Sequence, residues 1–506
     1  MAFSLLFDYV IISGGTAGVA LAARLAEDTS VSICILEAGK DYADSENEDV
    51  KIPGKYMANL GREWDEGIFN VPKAGAASDR VLYNPRGKGL GGSSLLNFMQ
   101  LIRAPVSEYD ALAASLGATD WTAAEFPKYF KKSQHLTKNQ PAGNQVHPLT
   151  SDPALYGSGP IPNTVPVYTP DIATHYYTAC KAVGMPFNPV GGSGNNGGVW
   201  PALAANIQPT ECLAPMRGAK NLTVITEAHA GRNLFTGSRA TGVQFQDQKE
   251  SATGTSGEGR TVHAKREVVL CAGVFHTPRL LEISGIGGRA YIPDGVPQIV
   301  DLPGNATEDH PSVLCLCETS LDSYDVLEDP RHYRARTKDT GPLSTATLFY
   351  SYLPLKAFMD PTKITEIQRL AQHAAVQNTD ITSPRTLELF KKWLHDEETY
   401  QLELIMVPMG LPILPGGEAV PGKRYIFFSI VLMHPFSCGP ERASPTGAHG
   451  LEVDLALLGN AIDVQILTAG VQFVRKVIEQ DAMKTGAGVR AVVPGPGPLD
   501  TETADA

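Results

Sequence analysis

The amino-acid sequence predicts an α/β domain followed by an α+β domain, and three observations carry that prediction. Near the start, the apolar run Tyr9-Val-Ile-Ile12 breaks into Ser13-Gly-Gly-Thr-Ala-Gly18. It then passes into an alanine-rich helical pattern and returns to an apolar run, Val31 to Leu36, that closes on Glu37. A second glycine-dense loop, Asn84-Pro-Arg-Gly-Lys-Gly-Leu-Gly-Gly-Ser-Ser-Leu-Leu-Asn-Phe-Met99, runs straight into an apolar segment. After Pro311 the pattern shifts to strand-like runs, Val313 to Leu316, Leu402 to Val407 and Tyr425 to Met433. Helical stretches stand near Ile364 to Ala375 and Ile462 to Gln480.

The first element reads as a nucleotide-binding βαβ unit. A dinucleotide diphosphate needs backbone N–H groups at a helix N-terminus with no side chains in the way, which Gly14, Gly15, Thr16, Ala17 and Gly18 offer. Glu37, followed by Ala38, stands at the distance past Gly18 expected of the carboxylate that takes the ribose hydroxyls, and an acid there favours a ribose without a 2′-phosphate. Ser13 departs from the fingerprint, because the tight turn at that position normally excludes a Cβ. The glycines of the second loop demand an exposed backbone surface, and a second such loop after a βαβ unit suggests a cofactor longer than one mononucleotide.

Composition bounds the rest. The chain has 506 residues, 43% hydrophobic and 19% charged, an ordinary globular balance with length for two or more domains. Its 42 basic and 54 acidic residues give a net charge of −12, with no basic cluster interleaved with aromatics, so nucleic acid is not an expected partner. No run of 18 uninterrupted apolar residues predicts a membrane span, and residues 1–7 do not form a secretory signal. A soluble chain is expected, with its compartment left open. The seven cysteines are scattered and mostly inside apolar runs, as small buried hydrophobes would be. Cys315-Leu-Cys317 lacks a second ligand pair, and no metal is expected.

The organisation expected is a nucleotide domain in two parts, 1–134 and 221–311, separated by a loop-rich cover at 135–220 that holds one helical pattern, Asp171 to Val183. A second domain follows at 312–480, with a linker-like tail at 481–506. Residues 246–262 are polar and glycine-rich, as a hairpin tip is.

Residues 87–97 resemble the first signature of the glucose-methanol-choline (GMC) family of flavoprotein oxidoreductases. A second stretch, Ala272-Gly-Val-Phe-His-Thr-Pro-Arg-Leu-Leu-Glu-Ile-Ser-Gly-Ile-Gly287, resembles the family's second signature in the expected order. Asp309-His310-Pro311 and Asn221-Leu-Thr-Val-Ile225 match further landmarks. The resemblance implies a Rossmann-like FAD-binding domain and a substrate domain built on an antiparallel sheet with helices. It also implies oxidation of the CH–OH group of a small-molecule alcohol, with hydride passing to the flavin and O2 or another acceptor regenerating it. Arg86, Gly87, Gly91, Gly92, Ser93, Asn97, Phe98, Met99, Ala272 and Gly273 would then border the cofactor, and His310 would be structural. His229 and His276, with no partner near them in sequence, are expected at the surface or satisfied in the core.

The pattern also departs from the family. Leu101 stands where an aromatic is usual, Val274 where a small residue is usual and Ala306 where Asn is usual. The family's C-terminal His-Pro-x-Gly-Thr segment, source of the catalytic base, is not found after Gln480. The run from Pro494 resembles the linker that precedes it. The catalytic residues are therefore unassigned, with His434 of His434-Pro-Phe-Ser-Cys-Gly439 the single candidate. Two alternatives accompany the oxidoreductase expectation: a catalytically silent FAD- or ligand-binding homologue, and a lyase on the same scaffold.

Overall fold

The structure is a computed structural model that describes residues 5–43, 52–72, 80–137, 152–166, 169–203, 218–247, 259–302, 304, 306–325, 348–373, 384–410, 420, 422–444 and 448–494. Most of the expected hairpin tip at 246–262, about a third of the cover at 135–220 and the last twelve residues of the tail lie outside the described residues.

A six-stranded sheet forms from two separate stretches of chain. In chain order its strands are β1 (Leu5–Ile12), β2 (Ile33–Leu36), β3 (Leu222–Ile225), β4 (Ala228–Thr236), β5 (Arg239–Asp247) and β6 (Arg260–Leu270). In space the order is β3-β2-β1-β6-β5-β4. The first four are parallel, with Tyr9–Ile12 paired to Ile33–Leu36 on one side and to Glu267–Leu270 on the other. Strands buried on both faces require apolar residues at every position, and Val10, Ile11, Ile33, Cys34 and Ile35 are fully buried. Helix α1 (Thr16–Leu25) covers one face through Val19 and Ala22. The helix Gly273–Glu282 approaches the other face, with Leu280 packed against Val10, Ile12 and Val243. The antiparallel β5 and β4 extend the sheet beyond β6, with β4 as the edge strand.

The second sheet is antiparallel: β7 (Ser312–Thr319), β8 (Phe349–Pro354), β9 (Tyr400–Val407), β10 (Arg424–Leu432) and β11 (Arg490–Val493), in spatial order β8-β9-β10-β7-β11. Alternation along β9 sends Leu402, Leu404 and Met406 to one side, where they pack on the helices Ile172–Ala182 and Ala461–Ile478. The opposite side carries a layer of aromatics, Tyr350, Tyr352, Tyr425 and Phe427, with Trp200 stacked over Tyr350 at 5.5 Å and Tyr56 and Met99 against them. Cys315 and Cys317 are both buried on the helix-covered side as hydrophobes. Among the described residues, no helix is long and apolar enough to cross a membrane.

Candidate cofactor site

The site begins where β1 ends. The chain reverses at Ser13, whose φ of +77° places a non-glycine residue in the left-handed region. Gly15 then starts α1, whose first turn has no side-chain cap and no acid, so the helix's positive end faces outward. Gly18 must lack a side chain, because a Cβ there would lie 2.0 Å from the Ser13 carbonyl oxygen.

The second glycine loop is joined to the first. The Gly91 N–H donates to the Gly14 carbonyl at 2.7 Å, the Thr16 hydroxyl donates to the Gly91 carbonyl at 3.3 Å, and a Cβ on Gly92 would come within 2.6 Å of Gly15 Cα. Two stretches more than seventy residues apart thus form one side-chain-free shelf beside the α1 N-terminus. The shelf opens on a cleft enclosing about 1120 Å3 of empty space, its mouth included.

Of the sequence-predicted residues, Gly15, Thr16, Ala17, Glu37, Ala38, Arg86, Gly87, Gly92, Ser93, Ala272 and Gly273 line this cleft. Gly14, Gly18 and Gly91 shape its wall without lining it. Asn97, Phe98 and Met99 lie beyond it. There the Phe98 ring meets Tyr56 at 4.7 Å, and Met99, at φ +58°, packs toward the aromatic layer of the second sheet.

The electrostatics of the cleft suit an anion. Arg86, Lys88 and Arg279 all line it. Arg86 lies 4.7 Å over the Phe275 ring, and Arg279 donates to the Gly450 carbonyl at 3.1 Å. Glu37 is 3% exposed; its carboxylate accepts from the N–H groups of Gly14 and Gly39, each at 2.8 Å, and from the Ser13 hydroxyl at 3.2 Å. Burial pushes its carboxyl up, while those hydrogen bonds work in the other direction. An uncapped helix end, a shelf that excludes Cβ atoms and three cationic side chains fit a diphosphate, and Glu37 beside them fits a ribose.

Sequence reasoning did not assign two histidines to the site, expecting them at the surface or satisfied in the core; His276 and His229 both line the cleft. His276 Nε2 lies 2.8 Å from Glu66 Oε2. Burial would raise the Glu66 carboxyl, but the His276 hydrogen bond and charge, with Lys88 and His449, hold it below its ordinary value. Burial pushes His229 down to about 4, so it is neutral near pH 7. Glu66, Lys88 and Arg279 were not among the predicted residues. A signal existed for two of them: Lys88 sits between Gly87 and Gly89, and Arg279 is three residues past His276 on one helix.

His434 is not at the cleft. It is buried between two helices, with the Trp393 ring 4.4 Å from its own and its Nε2 3.6 Å from Glu108, too far for a hydrogen bond. Burial pushes His434 down to about 3 and Glu108 up to about 7, so near pH 6 both are neutral and the contact is not an ion pair. The His310 Nδ1–H donates to the Leu432 carbonyl at 2.9 Å.

Comparison with known proteins gives this geometry its context. A family model described as GMC oxidoreductase matches residues 7–312. Patulin synthase of Penicillium expansum is 33% identical over 317 residues, covering 59% of this chain and 49% of the relative. Oxygen-dependent choline dehydrogenase of Pseudomonas aeruginosa is 33% identical over 309 residues, covering 59% and 52%. The match thus spans about half the length of these curated relatives. A FAD-dependent oxidoreductase from Chaetomium thermophilum shares the fold, with a TM-score of 0.83 at 21% identity over 98% of this chain and 86% of that one. With more than half of its length matched by the family model, the chain belongs to the GMC oxidoreductase family, and its cofactor is FAD.

Proposed function

We propose that this chain is a FAD-dependent oxidoreductase acting on the CH–OH group of a small-molecule alcohol, with O2 or another electron acceptor closing the cycle. The observation that carries the proposal is the shelf made by the two joined glycine loops at the uncapped end of α1, inside a cleft lined with cations. One relative supports it by name, the oxygen-dependent choline dehydrogenase of Pseudomonas aeruginosa.

In this reading the N–H groups of Thr16 and Ala17, with Arg86 and Gly92, hold the FAD diphosphate, and Glu37 takes the ribose hydroxyls. Bound FAD supplies a two-electron acceptor for the substrate hydride. Asn97, Phe98 and Met99 carry the wall of the cofactor site on toward the aromatic side of the second sheet, where an apolar alcohol would be held and water excluded. Residues 1–134 and 221–311 would serve the cofactor and 312–480 the substrate. No residue is assigned as base.

The test is spectroscopic. The purified chain, loaded with FAD and kept free of oxygen, should show two flavin bands between 300 and 550 nm that bleach on addition of an alcohol substrate and return with air. A flavin-bound chain that no alcohol in a broad panel bleaches would refute the catalytic reading and leave the cofactor assignment standing.

A further inference from the structure

The residue that breaks the nucleotide-binding fingerprint is itself wired into the site. The Ser13 hydroxyl donates to Glu37 Oε2 at 3.2 Å and accepts from the Gly15 N–H at 3.1 Å. Those are the two kinds of group that a dinucleotide needs here, the ribose-binding carboxylate and an N–H at the mouth of the α1 N-terminus. Ser13, Gly15 and Glu37 all line the cleft. A glycine at position 13 would adopt φ +77° without penalty and would bring no hydroxyl.

We infer that Ser13 is an internal competitor for the cofactor, its hydroxyl saturating in the free protein the Gly15 donor and part of the Glu37 acceptor that FAD must claim. The inference rests on the FAD reading of this cleft. When the diphosphate and ribose enter, the hydroxyl must surrender one or both of its hydrogen bonds, so FAD is held more weakly than the same shelf would hold it with glycine. Cofactor occupancy then depends on the FAD concentration around the protein.

Two substitutions separate the hydroxyl from the backbone strain. Ser13→Ala removes the hydroxyl and keeps a Cβ at positive φ, whereas Ser13→Gly removes both. Dissociation constants for FAD and for ADP, which carries the ribose and diphosphate without the flavin, are measured on the full apo chain and on both variants, each with its melting temperature. Both variants should bind both ligands more tightly, by about fivefold for each hydrogen bond released. Melting should divide them: Ser13→Ala falls, because it loses the bonds and keeps the strain, and Ser13→Gly does not fall with it. Unchanged or weaker binding by both variants would overturn the inference and make the hydroxyl a neutral group or a direct ligand. Failure of all three proteins to bind either ligand would overturn the FAD reading of the cleft, and the inference with it.

Discussion

Replacing Gly92 by alanine should separate the two glycine loops, and the size of the effect follows from the geometry. Gly92 sits at φ +53°, and the added methyl would stand 2.6 Å from Gly15 Cα and 3.4 Å from the Thr16 nitrogen. The obstructing atoms are backbone at the start of α1, so no side chain can swing away. Reaching ordinary contact at 3.4 Å requires the loops to part by about 0.8 Å. That movement strains the bond from the Gly91 N–H to Gly14 and the contact between Thr16 and Gly91. The left-handed conformation costs about 1 kcal/mol with a Cβ, and each backbone bond lost about 1 kcal/mol more, for a total of about 2 to 4 kcal/mol. Because the damage falls on the shelf itself, FAD affinity should drop at least about tenfold, the equivalent of 1.4 kcal/mol. Titration of the apo chain with FAD measures this, alongside Gly117→Ala as a control. Gly117 has φ +66° and nothing within 4 Å of its absent Cβ, so it bears the conformational cost alone and should leave FAD affinity unchanged. Wild-type FAD affinity in Gly92→Ala would refute the claim that the contact between the loops builds the site.

Two further perturbations test buried carboxylates away from the cleft. Asp463 is fully buried and accepts from the Phe436 N–H at 2.8 Å, the Ser437 N–H at 2.9 Å and the Ser437 hydroxyl at 2.6 Å. Asp463→Ala strands three donors and should destabilise the fold by about 3 kcal/mol, read as a lower melting temperature, whereas a loss within error would show that water satisfies them. Burial pushes the Glu108 carboxyl from its ordinary 4.5 up to about 7, so the folded state favours the proton. The stability this group contributes is complete below pH 4.5 and is lost as pH rises through 7. Glu108→Gln should therefore gain on the wild type as pH rises from 4.5 to 8. His434, pushed down to about 3, disfavours folding only below about pH 6.5 and does so in both proteins. A constant offset in melting temperature across that range would count against the burial argument.

Much of the fold and a large part of the site were legible in the sequence. The run Tyr9–Ile12, the glycines after it and the run ending at Leu36 specify strand, turn, helix and strand through local rules of periodicity and backbone freedom, and the structure has those elements in that order. The same rules marked Gly15 and the second glycine loop as surfaces for backbone approach, and the family resemblance added Gly92 and Gly273; all three glycines line the cleft. The apolar run Leu402–Val407 likewise foretold a strand of the second sheet, and it lies within Tyr400–Val407.

The rest depends on contacts between residues far apart in the chain, which no local pattern encodes. Sequence alone made Ser13 a flaw in a fingerprint; folding places its hydroxyl between Glu37 and Gly15. It brings Glu66 to His276, 210 residues away, and so turns a histidine expected to be unremarkable into part of the cleft wall. It also encloses His434 between Trp393 and Glu108, though its motif alone had made it the candidate base. Short-range propensities fix which segments become strands, helices and glycine turns. Which side chains meet, and therefore which carry charge or hold a cofactor, is decided when packing brings distant elements together and burial sets the cost of each polar group.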